Sequence, residues 1–180
     1  SKKATNEYLR LSGIPRKEIF SEICRLFQIY EKSDSFAIFN DHLKRLNLLK
    51  LKHSPVFPDA LDLLKFLTNR NHQIYISSSV PPQELENIVC SVLPKSINNY
   101  LGLVLGSSDG HTKGKDHINM ISSHSGCPLD QFLVIGDDYA DYELSAVAGV
   151  DCILVNRRGL TPQKGISMVL DLNIVKNWLS

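Results

Sequence analysis

Five residues, Asp137 to Asp141, hold the densest chemistry of this chain: Asp137, Asp138 and Asp141 directly follow the apolar run Phe132 to Ile135 and Gly136. Three carboxylates so close repel one another unless a cation sits among them. Hard, oxygen-seeking Mg²⁺ is the usual partner, held by one or two carboxylates with waters and a phosphate. The competing reading is helix capping, with Asp137 or Asp138 as the cap and the other acids favoured by the helix dipole. Capping accounts for one acid well and for three poorly.

Two further stretches carry groups suited to an anion. Ser77-Ser78-Ser79 follows Ile74-Tyr75-Ile76, and its hydroxyls and amides suit phosphate oxygens at the start of the next helix. The same serines also suit plain capping of that helix. Lys113, in Thr112-Lys113-Gly114-Lys115, is placed to neutralise a phosphate or a carboxylate, or else to lie solvated in a loop.

These residues gain meaning from the elements that carry them. From Val56 onward, short apolar strands alternate with helices. The pattern predicts a helix over Asp59–Arg70 with Leu61, Leu64 and Leu67 inward, a strand at Ile74–Ile76 and a helix opened by Pro81-Pro82. A strand at Leu101–Leu105, a helix over Lys115–Ser123 and a strand at Phe132–Ile135 follow. Then come a helix over Tyr139–Ala148 stopped by Gly149, a strand at Cys152–Val155, and a last helix anchored by Trp178. Such alternation implies parallel pairing and right-handed crossovers, a doubly wound α/β sheet. In that class ligands bind beyond the carboxyl ends of the strands, where all three stretches fall.

Up to about Lys52 the period is helical throughout. A short helix ends near Leu11, with Gly13 as its stop and Pro15 as the next start. One stripe runs Ile19, Ile23, Leu26, Phe27 and Tyr30; after the break at Ser33-Asp34-Ser35 a second runs Phe36, Phe39, Leu43 and Leu46. The chain therefore divides into a helical region, 1–54, and an α/β region, 55–180.

Composition sets outer limits. Twenty basic residues against nineteen acidic ones leave a net charge of +1, which gives no long-range field for nucleic acid or anionic lipid. No stretch approaches the roughly 18 apolar residues of a membrane span, so no membrane partner is expected and the cytoplasm is the expected compartment. Cys24, Cys90, Cys127 and Cys152 show no paired spacing; Cys24, Cys90 and Cys152 sit in apolar runs and read as small buried hydrophobes. The six histidines lack ligand spacing, although His117 and His124 share a helical face, and Arg157-Arg158 reads as a solvated pair.

A hydroxyl after one strand, a lysine before a later helix, then Gly-Asp-Asp-Tyr-Ala-Asp: this order resembles motifs two, three and four of the haloacid dehalogenase superfamily. The resemblance implies a Rossmann-like core with a helical cap over residues 1–54. It implies that Ser78, with Ser77 and Ser79 beside it, holds the phosphoryl group, that Lys113 steadies it, and that Asp137, Asp138 and Asp141 form the Mg²⁺ site. The implied activity is Mg²⁺-dependent hydrolysis of a small phosphorylated metabolite, phosphoglycolate-phosphatase-like. A phosphate-binding pseudophosphatase, a sugar-phosphate mutase and a dehalogenase are the alternatives within the same superfamily. One motif is missing. The superfamily's nucleophile lies in an Asp-x-Asp ending a strand before the cap, and no Asp-x-Asp occurs in the 180 residues. The expectation is that the nucleophilic strand lies outside this chain and that the chain alone is inactive.

Overall fold

A computed structural model describes residues 3, 7–8, 11, 14–51, 54–108 and 110–180. Gly13 and Lys52, named above, lie outside the described residues.

Among the described residues the helical part includes α1 (Arg16–Phe27) and α2 (Ser35–Leu51). Pro15 stands at the N-cap of α1, where its fixed φ of −57° costs nothing and its missing N–H is not needed. The buried stripe of α1 is Ile19, Phe20 and Cys24 rather than the expected run to Tyr30. Tyr30 is exposed because α1 has already ended at Phe27. Phe20 packs against Phe36 and Phe39 of α2, ring centroids 5.7 and 5.1 Å apart, so one aromatic cluster joins the pair. Leu46 and Leu26, both expected inward, are also exposed.

The α/β part runs α3 (Pro58–Asn69), β1 (Ile74–Ser78), α4 (Pro82–Val92), α5 (Lys95–Asn98), β2 (Leu101–Gly106) and α6 (Lys115–Ser125). It continues β3 (Leu133–Gly136), α7 (Tyr139–Ala148), β4 (Asp151–Val155), β5 (Ser167–Val169) and α8 (Leu172–Trp178). The strands pair in parallel, but in two separate pieces: β1 with β2, and β3 with β4, which also pairs with β5. Ser78 pairs with Gly106, and Gly136 with Leu154, so the polar stretches after β1 and β3 emerge at carboxyl ends. Helices cover both faces. Leu63 of α3 and Leu172 and Val175 of α8 pack on Ile153, Val155 and Val169. On the other face Ile118 of α6 and Ala148 of α7 meet Val150 and Val134. This is the doubly wound class that the alternation implies.

Several expectations are corrected. In α3 the buried apolar residue is Leu63, and Leu67, expected inward, packs half-buried against the same cluster; Leu61 and Leu64 are half-buried outside it, because α3 meets α8 and β4 along a different stripe. Trp178 is exposed; fully buried Val175 and Leu172 anchor α8 instead. Cys90 is exposed, whereas Cys24 is buried. No helix among the described residues is long and apolar enough to cross a membrane.

Candidate functional site

Close backbone approach builds the centre. At Gly136, ending β3, a side-chain Cβ would overlap the Asp141 carboxylate, so only glycine lets α7 begin so near the strand. That proximity lets Asp141 Oδ2 accept from the amides of Asp137 (2.9 Å) and Asp138 (3.3 Å). Its other oxygen, Oδ1, receives the Lys113 ammonium. Asp138 Oδ1 accepts from the Ala140 amide at 3.1 Å, completing a capping box with Asp141. The three acids thus diverge into separate tasks. Asp141 ties Lys113 to the strand end, Asp138 caps α7, and no backbone amide among the described residues holds the Asp137 carboxylate.

Lys113 is fixed by backbone as well as by charge. Its amide donates to Ser107 Oγ at 3.0 Å, and the Ser107 hydroxyl donates to the Ser78 carbonyl at 3.1 Å. The loop after β2 is thereby tied to the end of β1. Gly114, at φ +109°, turns the chain into α6 beside Leu144, a conformation that other residues rarely adopt.

The three serines separate. Ser78 Oγ accepts from the Val80 amide at 3.2 Å, and Ser78 and Ser79 line a cavity of about 290 Å³ together with Lys113, Asp137, Asp138 and Asp141. Ser77 is not part of that lining; its hydroxyl shares a 2.8 Å hydrogen bond with Nδ1 of His117, which is almost fully buried. Burial disfavours the imidazolium and holds His117 below the ordinary histidine range. Alternation along a strand explains the split, since neighbouring residues face opposite sides.

Further residues, none of them read from the sequence as part of the site, belong to the same region. Arg158 is not merely solvated: its guanidinium lies 3.0 Å from Asp137 and 3.4 Å from Asp138 at the rim. Its neighbour Arg157 clasps Asp59 through both carboxylate oxygens, 2.8 and 2.7 Å, with its guanidinium 4.0 Å above the Phe57 ring. Ser107 is the bridge already described. From the helical part, Arg16 and Asn47 line the cavity together with Ser78 and Lys113. Arg158 was accessible to the same rule that finds Asp137, since it stands just past the carboxyl end of β4. Arg16 and Asn47 carried no such signal.

The cavity lining therefore sets three cations, Arg16, Lys113 and Arg158, against three carboxylates among the described residues. Among the described residues no group of three or more His, Cys, Asp or Glu side chains is arranged to hold a metal ion. The donors nevertheless fit Mg²⁺ chemically. Asp137 offers hard carboxylate oxygens at a half-exposed rim, and this ion needs only one or two carboxylates beside water and phosphate.

The sequence matches the profile of haloacid dehalogenase-like hydrolases over residues 1–155. The chain belongs to that family. Among solved structures, a hydrolase from Pseudomonas syringae shares 16% identity at a TM-score of 0.79, covering 99% of this chain and 82% of that one. CbbY from Rhodobacter sphaeroides, solved with xylulose-(1,5)bisphosphate, shares 12% at 0.74, covering 96% and 79%. A Lactobacillus delbrueckii subsp. bulgaricus protein provisionally named a phosphoglycolate phosphatase shares 22% at 0.57, covering 68% of this chain; the chain spans 53% of that protein. At these identities the likeness is one of fold. Among curated proteins nothing matches the chain. Within the haloacid dehalogenase-like family, then, this chain carries parallel strands in two separate pieces, with polar groups gathered at the carboxyl ends of both.

Proposed function

We propose that the cavity holds the phosphoryl group of a small phosphomonoester together with Mg²⁺, as the binding half of a phosphatase site. The observation that carries this reading is the division of labour among the acids. Asp141 is consumed by Lys113 and two amides and Asp138 by its cap, whereas Asp137 makes only an exposed ion pair with Arg158, which leaves it the carboxylate most open to an ion. Charge supports it too. Among the described lining residues Arg16 is already paired with Glu84, so Lys113 and Arg158 face three carboxylates; that leaves no surplus for a phosphate dianion, and a divalent cation would offset the deficit. When bound, Mg²⁺ offsets charge on the phosphoryl oxygens.

The remaining roles belong to residues of this chain. Ser78 accepts from Val80 and still has its own proton to give to a phosphate oxygen. Lys113, held by Asp141 and Ser107, aims an ammonium at the same place. Residues 1–54 act as the cap and 55–180 as the core, a reading favoured by the cavity lining, which draws on both. The attacking carboxylate would come from a strand outside these 180 residues, seated between β1 and β3. The parted sheet supports that placement, as do half-exposed Leu133 and Ile135 on β3. In the neighbours, CbbY has been solved with phosphate as well as with the bisphosphate.

Calorimetric titration with inorganic phosphate tests the proposal. Binding should require Mg²⁺ and disappear in Lys113→Ala and Asp137→Asn. Phosphate binding that ignores Mg²⁺, or no binding by the unaltered chain, would sink it.

A further inference from the structure

Resting on the phosphate reading above, we infer that Arg16 and Asn47 select the leaving group, and that they select an uncharged, hydroxyl-bearing one. The cavity has two walls. Ser78, Lys113 and the acids make the floor, and Arg16 and Asn47 look back from α1 and α2. Arg16 is a buried cation, 7% exposed, and Glu84 of α4 grips it through two hydrogen bonds of 2.7 and 2.8 Å. Arg16 also donates to Asn40 Oδ1 at 3.1 Å, and Asn47 Nδ2 donates to the same Glu84 carboxylate at 3.0 Å.

Two consequences follow for whatever occupies the space between the walls. The bidentate carboxylate cancels the guanidinium charge where water is excluded. A second carboxylate, carried by a ligand, would meet an already neutralised pair and lose its hydration without compensation. The cavity's rim cation offers no remedy, since Arg158 keeps Asp138 as its partner when Asp137 turns to Mg²⁺. The wall instead presents fixed dipoles, with Asn47 locked in orientation by Glu84, and beside them the apolar surface of Ile14 and Ile19. Dipoles plus apolar surface suit a carbon chain bearing hydroxyls. At about 290 Å³ the space lies at the small end for ligand sites, which run from about 300 to 1,000 Å³. The substrate class is thus the monophosphate of a short polyhydric alcohol, not of a hydroxy acid and not a bisphosphate.

The experiment is a calorimetric titration of the 180-residue chain with Mg²⁺ and three probes: inorganic phosphate, glycerol 3-phosphate and 2-phosphoglycolate. The expected result is glycerol 3-phosphate binding at least about tenfold more tightly than 2-phosphoglycolate. In Asn47→Ala the ratio of glycerol phosphate to inorganic phosphate affinity should fall about 3- to 10-fold, the loss of one neutral hydrogen bond. Glu84→Gln, which releases the Arg16 charge, should turn the preference toward 2-phosphoglycolate. Should that variant fail to fold, the unaltered chain and Asn47→Ala still decide. Equal or tighter binding of 2-phosphoglycolate by the unaltered chain overturns the inference, as does an unchanged ratio in Asn47→Ala. Failure of all three probes together would instead remove the phosphate reading itself, and this inference with it.

Discussion

Gly136 shows how much of the site depends on a missing atom. Alanine there would push into the Asp141 carboxylate, which carries Lys113 on one oxygen and two amides on the other. Gly136→Ala should therefore lose about 1–3 kcal/mol, the usual cost of overpacking, and weaken phosphate binding at once. Denaturant unfolding beside phosphate titration checks this; an unchanged midpoint would mean that α7 has room to shift. A second contrast separates the adjacent acids. Asp138→Ala removes the α7 cap and should cost about 0.5–2 kcal/mol with little effect on Mg²⁺ affinity. Asp137→Asn touches only a surface ion pair, so stability should move by less than about 1 kcal/mol while Mg²⁺ binding is lost. Mg²⁺ affinity falling equally in both would overturn this assignment. The sequence showed the acids and their place after a strand, because an apolar run ending in Gly-Asp-Asp is a local pattern. It did not show which acid does what, since that depends on where Lys113 and Arg158 arrive from elsewhere in the fold.

At the scale of elements, parallel strands and their helices were legible because each is written in contiguous residues. The start and end of α7 fall where capping and Gly149 place them. The misses have physical causes. β5 is three residues, Ser-Met-Val, and exists because Ile153, Leu154 and Val155 of β4 offer it a ladder, not because of its own pattern. Glu84 lies in a first turn where an acid usually faces water, and nothing nearby announces that Arg16, 68 residues away, will bury it. This pair sets a clear expectation. Burial alone would raise the Glu84 carboxyl, but hydrogen bonds from Arg16 and Asn47 and the charges of Arg16 and Lys44 outweigh it and hold it below the ordinary range. A carboxyl with a depressed folded pKa contributes stability in full above its unfolded value, about 4.3, and loses it as pH falls through the folded value. Asp59 behaves likewise: burial opposes its charge, yet Arg157 and the Leu172 and Ala60 amides hold it down. Stability should thus fall steeply below about pH 4. Glu84→Ala should cost about 3–5 kcal/mol at neutral pH, because it strands the buried Arg16, and should flatten the acid slope. An acid slope identical to that of the unaltered chain would show that the pair does not control it.

Seen as a whole molecule, the chain holds the groups proposed to bind phosphate on two sheet pieces, β1 with β2 and β3 with β4 and β5, that are not paired with each other. Lys113 bridges the pieces through Ser107 and Ser78 on one side and Asp141 on the other, so the site can bind without a continuous sheet. Turnover is a different demand. Phosphate monoesters hydrolyse so slowly that their enzymes supply up to about 10²¹-fold acceleration, and a preorganised site stripped of its nucleophile keeps only about 10³–10⁴. The carboxylates of this site are already committed, to Lys113, to a helix cap and to the proposed Mg²⁺, and no Asp-x-Asp is present to replace them. The purified 180-residue chain with Mg²⁺ should therefore bind phosphate yet hydrolyse p-nitrophenyl phosphate no faster than its Asp137→Asn variant. A rate of about 1 s⁻¹ or more, abolished by Asp137→Asn, would mean that one of the committed groups attacks phosphorus after all. Ser78, whose hydroxyl faces the cavity from the end of β1, would then be the first residue to replace.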